Sequence, residues 1–310
     1  MSGPVPNESP AVVKAAGRRK WNPRVRDTVS AYLYISPFFI LFGVFGLFPV
    51  IFTAYISFHR WNILGEKDWI GWNNYSALMK DPLFWKSIGN TFSIWFLSTV
   101  PMLFMALVLA FLLNQAFLKG KDFFRLSVFM PNVTSVVAVA IIFSAIFGRN
   151  YGIINYLLTG IGLEPVDWQG TYWGTHVAIA AMVIWRWTGY NTIIYVAGLQ
   201  GIPKDLYEAA TIDGASKIQQ FFKVTIPLMR PIIIFTVILS TIGGMQLFAE
   251  PLVFGTGSQN QGLTITLYLY NEAFQRFSFG YAASIAWLLF IIIVAFALVN
   301  MFITQRIRSV

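Results

Sequence analysis

Five long stretches of the chain, 31–58, 87–118, 126–148, 231–249 and 277–305, contain no Asp, Glu, Lys or Arg, and a sixth, 168–203, contains only Arg186. Each is about as long as, or longer than, the ~20 mostly apolar residues that an α-helix needs to cross the hydrocarbon of a bilayer. None shows the ~10-residue apolar/polar alternation of a barrel strand. The pattern predicts an all-α membrane protein of six transmembrane helices. Backbone in lipid must satisfy its own hydrogen bonds, so Pro37, Pro49, Pro101, Pro131 and Pro231 are expected at helix ends or at kinks covered by neighbouring helices.

The polar segments between these stretches set the orientation. On the side of the amino-terminal tail stand fifteen basic residues: Lys14, Arg18, Arg19, Lys20, Arg24, Arg26, Lys119, Lys121, Arg125, Lys204, Lys217, Lys223, Arg230, Arg306 and Arg308. The opposite side carries six, Arg60, Lys67, Lys80, Lys86, Arg149 and Arg276. Both termini are therefore expected in the cytoplasm. The chain divides into a cytoplasmic basic tail at 1–30, a membrane domain at 31–305 and a short cytoplasmic end at 306–310. The Pro- and Ser-containing tail reads as disordered apart from the part next to the membrane. The first apolar stretch is too long for a signal-peptide core and no A-x-A site follows it, so it is expected to be a retained span.

Composition narrows the chemistry. Of 310 residues 56% are hydrophobic and 11% charged, the net charge is +9 and the mean hydropathy is +0.63. The basic excess suits anionic headgroups and the positive-inside rule, and no segment resembles a nucleic-acid reader. Two histidines and no cysteine leave no material for a Cys-rich zinc site, a thiol nucleophile or a disulfide framework. His59 and His176 fall at predicted membrane edges and read as interfacial. Asn7 and Asn132 match the glycosylation pattern, but one is placed in the cytoplasm and the other in a span. Glu164 and Asp167, beside Pro165, read as exposed loop carboxylates with no acid-base role.

On the predicted outer side, Trp61, Trp69, Trp72, Tyr75 and Trp85 form a belt of aromatic anchors. Asp81 and Pro82 suit the N-cap and first position of the helix that becomes the second span. The segment 251–276 contains GTGSQNQG and reads as a flexible polar loop.

The connection between the fourth and fifth spans is the most informative segment. Pro203 suits the start of a helix, Asp205 and Glu208 suit its positive end, and Gly214 suits a left-handed stop. Ser216 and Gln219 have the spacing of a capping box for a second short helix. Pro227 and Pro231 are expected to break the chain again before the membrane. Ala209 and Ala210 leave a surface that a bulky partner can approach closely.

Glu208-Ala209-Ala210, then Gly214 after three residues, then Val224-Thr225-Ile226-Pro227 after nine more, resembles the EAA loop of bacterial ABC importer permeases, E-A-A-x3-G-x9-I-x-L-P. The departures are Val224 for Ile and Ile226 for Leu. IGWNNYSALMKDPLFWKSIGNT and LTITLYLYNEAF are similar to the carbohydrate-uptake branch of that family, and the likeness covers about 30–305. The resemblance implies a type I ABC importer permease domain at 31–305 with cytoplasmic coupling helices, the coupling loop being 201–230. It implies ATPase coupling through Glu208, Ala209, Ala210, Asp213 and Gly214, with Glu208 as a charged anchor. The chain carries no G-x-x-x-x-G-K-[ST] phosphate loop, so ATP and magnesium would be bound by a partner ABC ATPase dimer and this chain is expected not to be an enzyme. The other implied partners are a second permease completing a heterodimer and an extracellular solute-binding protein, in a bacterial cytoplasmic membrane.

An arginine inside a span costs ~2.5–3.5 kcal/mol, which directs Arg186 toward the bundle or water. Val183, Arg186, Trp187 and Tyr190 share one helical face. On the fifth span, Ser240, Gly243, Gly244, Gln246 and Glu250 bring small and polar groups. Aromatic faces with a few hydrogen-bonding groups suit sugar rings, so the substrate pathway is expected at Arg186, Trp187, Tyr190, Ser240, Gly244, Gln246 and Glu250. Glycine pairs and aromatic stripes also serve plain helix packing. STIGGMQLFAEPLVF is similar to permeases for lactose, cellobiose and related saccharides, which implies a neutral di- or oligosaccharide. The alternative is an ion-coupled secondary carrier acting without an ATPase, with Arg186 and Glu250 as its ion path.

Overall fold

The computed structural model describes Gly3 and residues 23–62, 65–114 and 119–308, with side chains beyond Gly3 described only within 27–302. The tail residues Asn7, Lys14, Arg18, Arg19 and Lys20, and the side chains of Arg24, Arg26, Arg306 and Arg308, lie outside the described residues. The chain forms two compact units, 1–52 and 53–310.

The first unit holds α1 (Pro23–Phe42), a π turn at Gly43–Leu47 and the start of α2 (Phe48–Ser57). Pro37 lies inside α1, and Pro49 follows the π turn, whose wider loop supplies a place for a residue without an N–H.

The second unit opens with the antiparallel pair β1 (His59–Arg60) and β2 (Asp68–Trp69), then α3 (Asn73–Met79). α4 (Pro82–Asn114) starts where Asp81 accepts the Leu83 N–H at 2.8 Å, as the sequence predicts. α5 (Lys121–Val133), α6 (Val136–Ile146), α7 (Ile153–Gly160) and α8 (Tyr172–Gln200) follow. Next come α9 (Lys204–Ile212), α10 (Lys217–Gln220), a π turn at Phe221–Thr225, α11 (Ile226–Met245) and α12 (Ala249–Phe254). α13 (Ile265–Tyr270), a π turn at Asn271–Gln275 and α14 (Phe279–Arg308) complete the chain.

Among the described residues, four helical stretches are long and apolar enough to cross a membrane: Asp27–Ser57, Pro82–Asn114, Lys217–Phe254 and Phe279–Phe302. The apolar stretch 126–148 is not one straight helix, because α5 and α6 meet at a 92° bend. Pro131 removes a backbone donor near the end of α5, and Thr134 and Ser135 turn extended before α6 begins. α8 is 29 residues long but carries Arg186 and falls outside the apolar group. Pro101 and Pro231 lie inside continuous helices, not at ends. Pro227 and Pro231 likewise do not interrupt the chain: the π turn at 221–225 places the Ile226 N–H on the Phe221 carbonyl and carries α10 into α11.

α4 and α8 form the most extensive helix pair. Ala106, Ala110, Tyr195 and Leu199 are buried in one core cluster along it, with Phe221 and Met229 joining from the π turn at Phe221–Thr225 and from α11. A second cluster unites Ile94, Phe143, Met182, Leu247 and Phe254, and a third unites Phe84, Met245, Tyr268 and Ile285. At Gly189 a Cβ would stand 1.9 Å from the Val128 carbonyl oxygen, so only glycine admits α5 this close to α8.

On the predicted outer side, Phe58 meets Trp69, Trp72 and Tyr75 at ring distances of 5.7, 5.0 and 5.6 Å. Burial opposes ionisation of Asp81, yet hydrogen bonds from Tyr268, the Leu83 N–H and Tyr281 prevail and hold its carboxyl below the usual range. Nearby, burial pushes the Glu272 carboxyl up against the pull of Arg276 at 2.6 Å.

The segment after α12, expected to be flexible, is pinned along its backbone. Lys86 donates to the Gln259 carbonyl at 2.6 Å, and Asn90 donates to those of Asn260 and Leu263 at 3.0 and 3.1 Å. The Ser258 N–H donates to the Gln169 carbonyl at 2.8 Å. His176 is fully buried within the chain and bridges Ser93 at 2.8 Å to the Gln261 carbonyl at 2.7 Å. His59 is also buried, against the Tyr55 carbonyl at 2.8 Å. Asp167 pairs with Arg149 at 2.8 Å and accepts the Gly170 N–H, a structural role.

Candidate functional site

The fifth apolar stretch ends early, and that break builds a cavity. α11 stops at Met245, Gln246 and Phe248 leave helical geometry, and α12 resumes at Ala249. Of the carbonyls this break exposes, that of Leu247 is taken by the Thr264 hydroxyl at 2.7 Å. The break turns Glu250 toward α8, where its Oε1 lies 2.8 Å from Arg186 Nη1. Both side chains are largely shielded, 5% and 14% exposed. Arg186 Nε is buried with no hydrogen-bond partner, and its guanidinium carbon stands 5.7 Å from the centre of the Trp187 ring.

Around this pair lies a cavity of about 450 Å³, within the size range of small-molecule sites. α8 contributes Val183, Arg186, Trp187, Tyr190 and Asn191 to its wall, and α11 contributes Leu239, Ser240, Gly243 and Gly244. The break and α12 add Gln246 to Glu250, and α4 adds Thr99 and Met102. Trp187 and Tyr190 meet edge to face at 5.8 Å and are both more than a third exposed. The seven residues singled out from the sequence, Arg186, Trp187, Tyr190, Ser240, Gly244, Gln246 and Glu250, thus stand on one cavity. The two glycines differ. A Cβ at Gly244 would lie 2.5 Å from the Trp95 ring, a packing constraint, whereas at Gly243 it would meet open space.

Sequence reasoning passed over Asn191, Thr99, Met102 and Phe248. Asn191 was the readable one: an amide in an apolar span next to Tyr190. It is buried and bonded to the Trp187 carbonyl at 3.0 Å.

The hairpin at 204–220 is a separate place, and none of its residues lines the cavity. Pro203 stands as N-cap, with Asp205 in the first turn of α9. Gly214 takes φ +78°, its N–H reaches the Thr211 carbonyl at 3.0 Å, and the Ala215 N–H reaches the Ala210 carbonyl at 2.9 Å. That pair of bonds is a Schellman stop. Ser216 and Gln219 exchange both bonds of a capping box, at 2.8 and 3.3 Å. Buried Gln220 ties α10 to Thr211 at 2.9 Å, and Tyr207 meets Thr225 at 2.9 Å. Glu208, Ala209, Asp213 and Gly214 are exposed and Ala210 is half-buried. Ile212 and Ile218 stand 85% and 71% exposed, an uncovered apolar edge beside the acidic groups.

Among the described residues no group of three His, Asp or Glu side chains is placed to hold a metal ion.

Comparison with known proteins identifies the family. The family described as binding-protein-dependent transport system inner membrane component matches residues 85–309. The lactose transport system permease protein LacF of Rhizobium radiobacter is 38% identical over 285 residues, covering 90% of this chain and 95% of that one. The arabinooligosaccharides transport system permease protein AraP of Halalkalibacterium halodurans is 36% identical, covering 91% and 89%. The trehalose/maltose transport system permease protein MalF of Thermococcus litoralis is 33% identical, covering 89% and 94%. A crystal structure of a bacterial ABC transporter involved in the import of the acidic polysaccharide alginate superposes with a TM-score of 0.80 at 23% identity, covering 92% of this chain and 98% of that one, a likeness of fold. These matches disfavour the ion-coupled carrier. The chain belongs to the family of inner membrane components of binding-protein-dependent transport systems.

Proposed function

We propose that the chain is the permease subunit of an ATP-driven importer of a di- or oligosaccharide and forms half of the translocation pathway. Its six spans are the four long apolar helical stretches, the bent α5–α6 pair and α8, with both termini in the cytoplasm. The hairpin docks on a separate ABC ATPase dimer through Glu208, Ala209, Ala210, Asp213 and Gly214. A second, non-identical permease closes the pathway, and an external solute-binding protein delivers the sugar. ATP and magnesium belong to the ATPase.

The observation that carries this reading is the helical run from α10 through the π turn to α11, which links the exposed hairpin to the cavity wall at Leu239–Gly244. A displacement of the hairpin is carried to the cavity wall along continuous helical backbone. Within the cavity, Trp187 and Tyr190 offer faces to the C–H patches of a pyranose, and Ser240, Gln246 and the Arg186–Glu250 pair offer bonds to hydroxyls.

Tagged purification from the native membrane tests the assembly. The chain is expected to bring down an ATPase and a second permease. The complex, in vesicles, is expected to accumulate lactose or an arabino-oligosaccharide only when ATP is supplied on the side of the ATPase. A chain that purifies alone and moves sugar down an imposed proton gradient would overturn the reading.

A further inference from the structure

The two charged groups on the cavity wall are Arg186 and Glu250, of opposite sign and 2.8 Å apart. Their pairing leaves the cavity with no net formal charge. It uses one of the guanidinium N–H groups, and Arg186 Nε is buried without a partner. A guanidinium has five N–H groups and no acceptor, so the N–H groups that Glu250 does not use can only donate, to a carbonyl, a hydroxyl or an anion.

We propose that the Arg186–Glu250 pair sets the charge selectivity of the pathway, so that the cavity takes uncharged saccharides and Glu250 is the residue that excludes uronates and other anionic sugars. This rests on the reading of the cavity as the solute route. An uncharged sugar offers a hydroxyl or ring oxygen to an Arg186 N–H that Glu250 does not use and leaves the ion pair whole. A carboxylate of similar shape competes with Glu250 for the same guanidinium. In a site shielded from water, displacing Glu250 strands a buried anion, and staying beside it sets two anions together. The neighbouring Trp187 ring reinforces the arginine but adds no countercharge of its own. Glu250 sits on α12, held at its far end where Gln169 donates to the Phe254 carbonyl at 2.9 Å, so it cannot swing freely from its partner.

The test exploits the absence of native cysteine. Ser240→Cys places a single thiol on the wall in the assembled complex, and its labelling rates with an anionic and a cationic methanethiosulfonate of similar size are measured across the nucleotide cycle. The ratio of the two rates reports the local potential. With the ion pair intact the ratio is expected to stay near that of a neutral thiol. Glu250→Gln is expected to raise the anionic-to-cationic ratio ~tenfold or more, and Arg186→Gln to lower it by a similar factor, from an unpaired unit charge at close range. The double variant Arg186→Gln/Glu250→Gln is expected to return to the ratio of the intact pair. If one single variant does not assemble, the other and the double variant carry the test. A reactive thiol at position 240 whose ratio ignores these changes would overturn the selectivity proposal and leave the pathway reading standing. A thiol there that never reacts in any state would overturn both.

Discussion

In the hairpin at 204–220, the bonds that fix its shape join residues no more than 18 apart, from the Schellman stop at Gly214 to the Tyr207–Thr225 contact. In the cavity, the decisive contact joins Arg186 to Glu250, 64 positions away, and it exists only because α11 breaks at Gln246. The hairpin presents its acidic and apolar groups bare, with Ile212 85% exposed, while Glu250 is 5% exposed. The difference teaches where damage should appear. A change on the exposed faces of the hairpin alters what docks there and leaves the bundle intact, whereas a change at the ion pair acts on stability and transport together.

The largest expected effect tests the hairpin half of that contrast. Glu208→Lys reverses the exposed charge, and Gly214→Val forces a β-branched residue into φ +78°, strained by ~1–3 kcal/mol. Both are expected to abolish solute-stimulated ATP hydrolysis by the assembled complex while the chain still inserts at normal levels. Full uptake and full stimulation in either variant would remove the coupling role from this loop.

Next in size is the cavity half. Arg186→Met strands the buried Glu250 carboxylate, and breaking a buried pair by removing one partner typically costs ~3–5 kcal/mol. The melting temperature of the purified complex should fall clearly, and Arg186→Met/Glu250→Met should recover most of the loss. Equal melting for the single and double variants would show that the pair is not coupled. Smaller again, Tyr190→Ala and Gln246→Ala should reduce sugar uptake ~tenfold, about the value of one lost contact, and impair it more than assembly or basal ATP hydrolysis. Wild-type uptake in both would return these side chains to helix packing.

The same contrast explains what was legible in the sequence. Gly214, Ser216 and Gln219 announce their geometry because caps and left-handed stops are written in adjacent residues. The cavity was readable only as a list of polar groups on apolar stretches. That Arg186 and Glu250 pair depends on the break at 246–248, where no proline stands, and on the Thr264 hydroxyl that bonds the Leu247 carbonyl. The bend after Pro131 and the uninterrupted helix through Pro227 and Pro231 show the limit of proline as a marker. In one case the lost donor coincides with extended backbone at Thr134 before α6, and in the other the helix runs on past both prolines, with a π turn just ahead of Pro227. The burial of His176 was invisible because its partners, Ser93 and the Gln261 carbonyl, lie more than eighty positions away on either side.

The smallest expected effect separates the hairpin's exposed faces from its internal frame. Ser216→Ala removes the hydroxyl that accepts the Gln219 N–H and leaves Glu208 and Gly214 untouched. Loss of an N-cap typically costs ~1 kcal/mol, here confined to a short helix also held by Gln220 on Thr211. Hydrogen exchange should therefore speed up at the start of α10 without spreading to α8, and the ATPase should remain stimulated by solute, though less tightly. Adding Gln220→Leu deletes the second tie, so the double change should loosen α10 as a unit and uncouple hydrolysis from uptake. If α10 exchanges at the wild-type rate in the double variant, the frame is held by the docked ATPase and not by these bonds, and the contrast between a locally built hairpin and a globally built cavity fails at its first term.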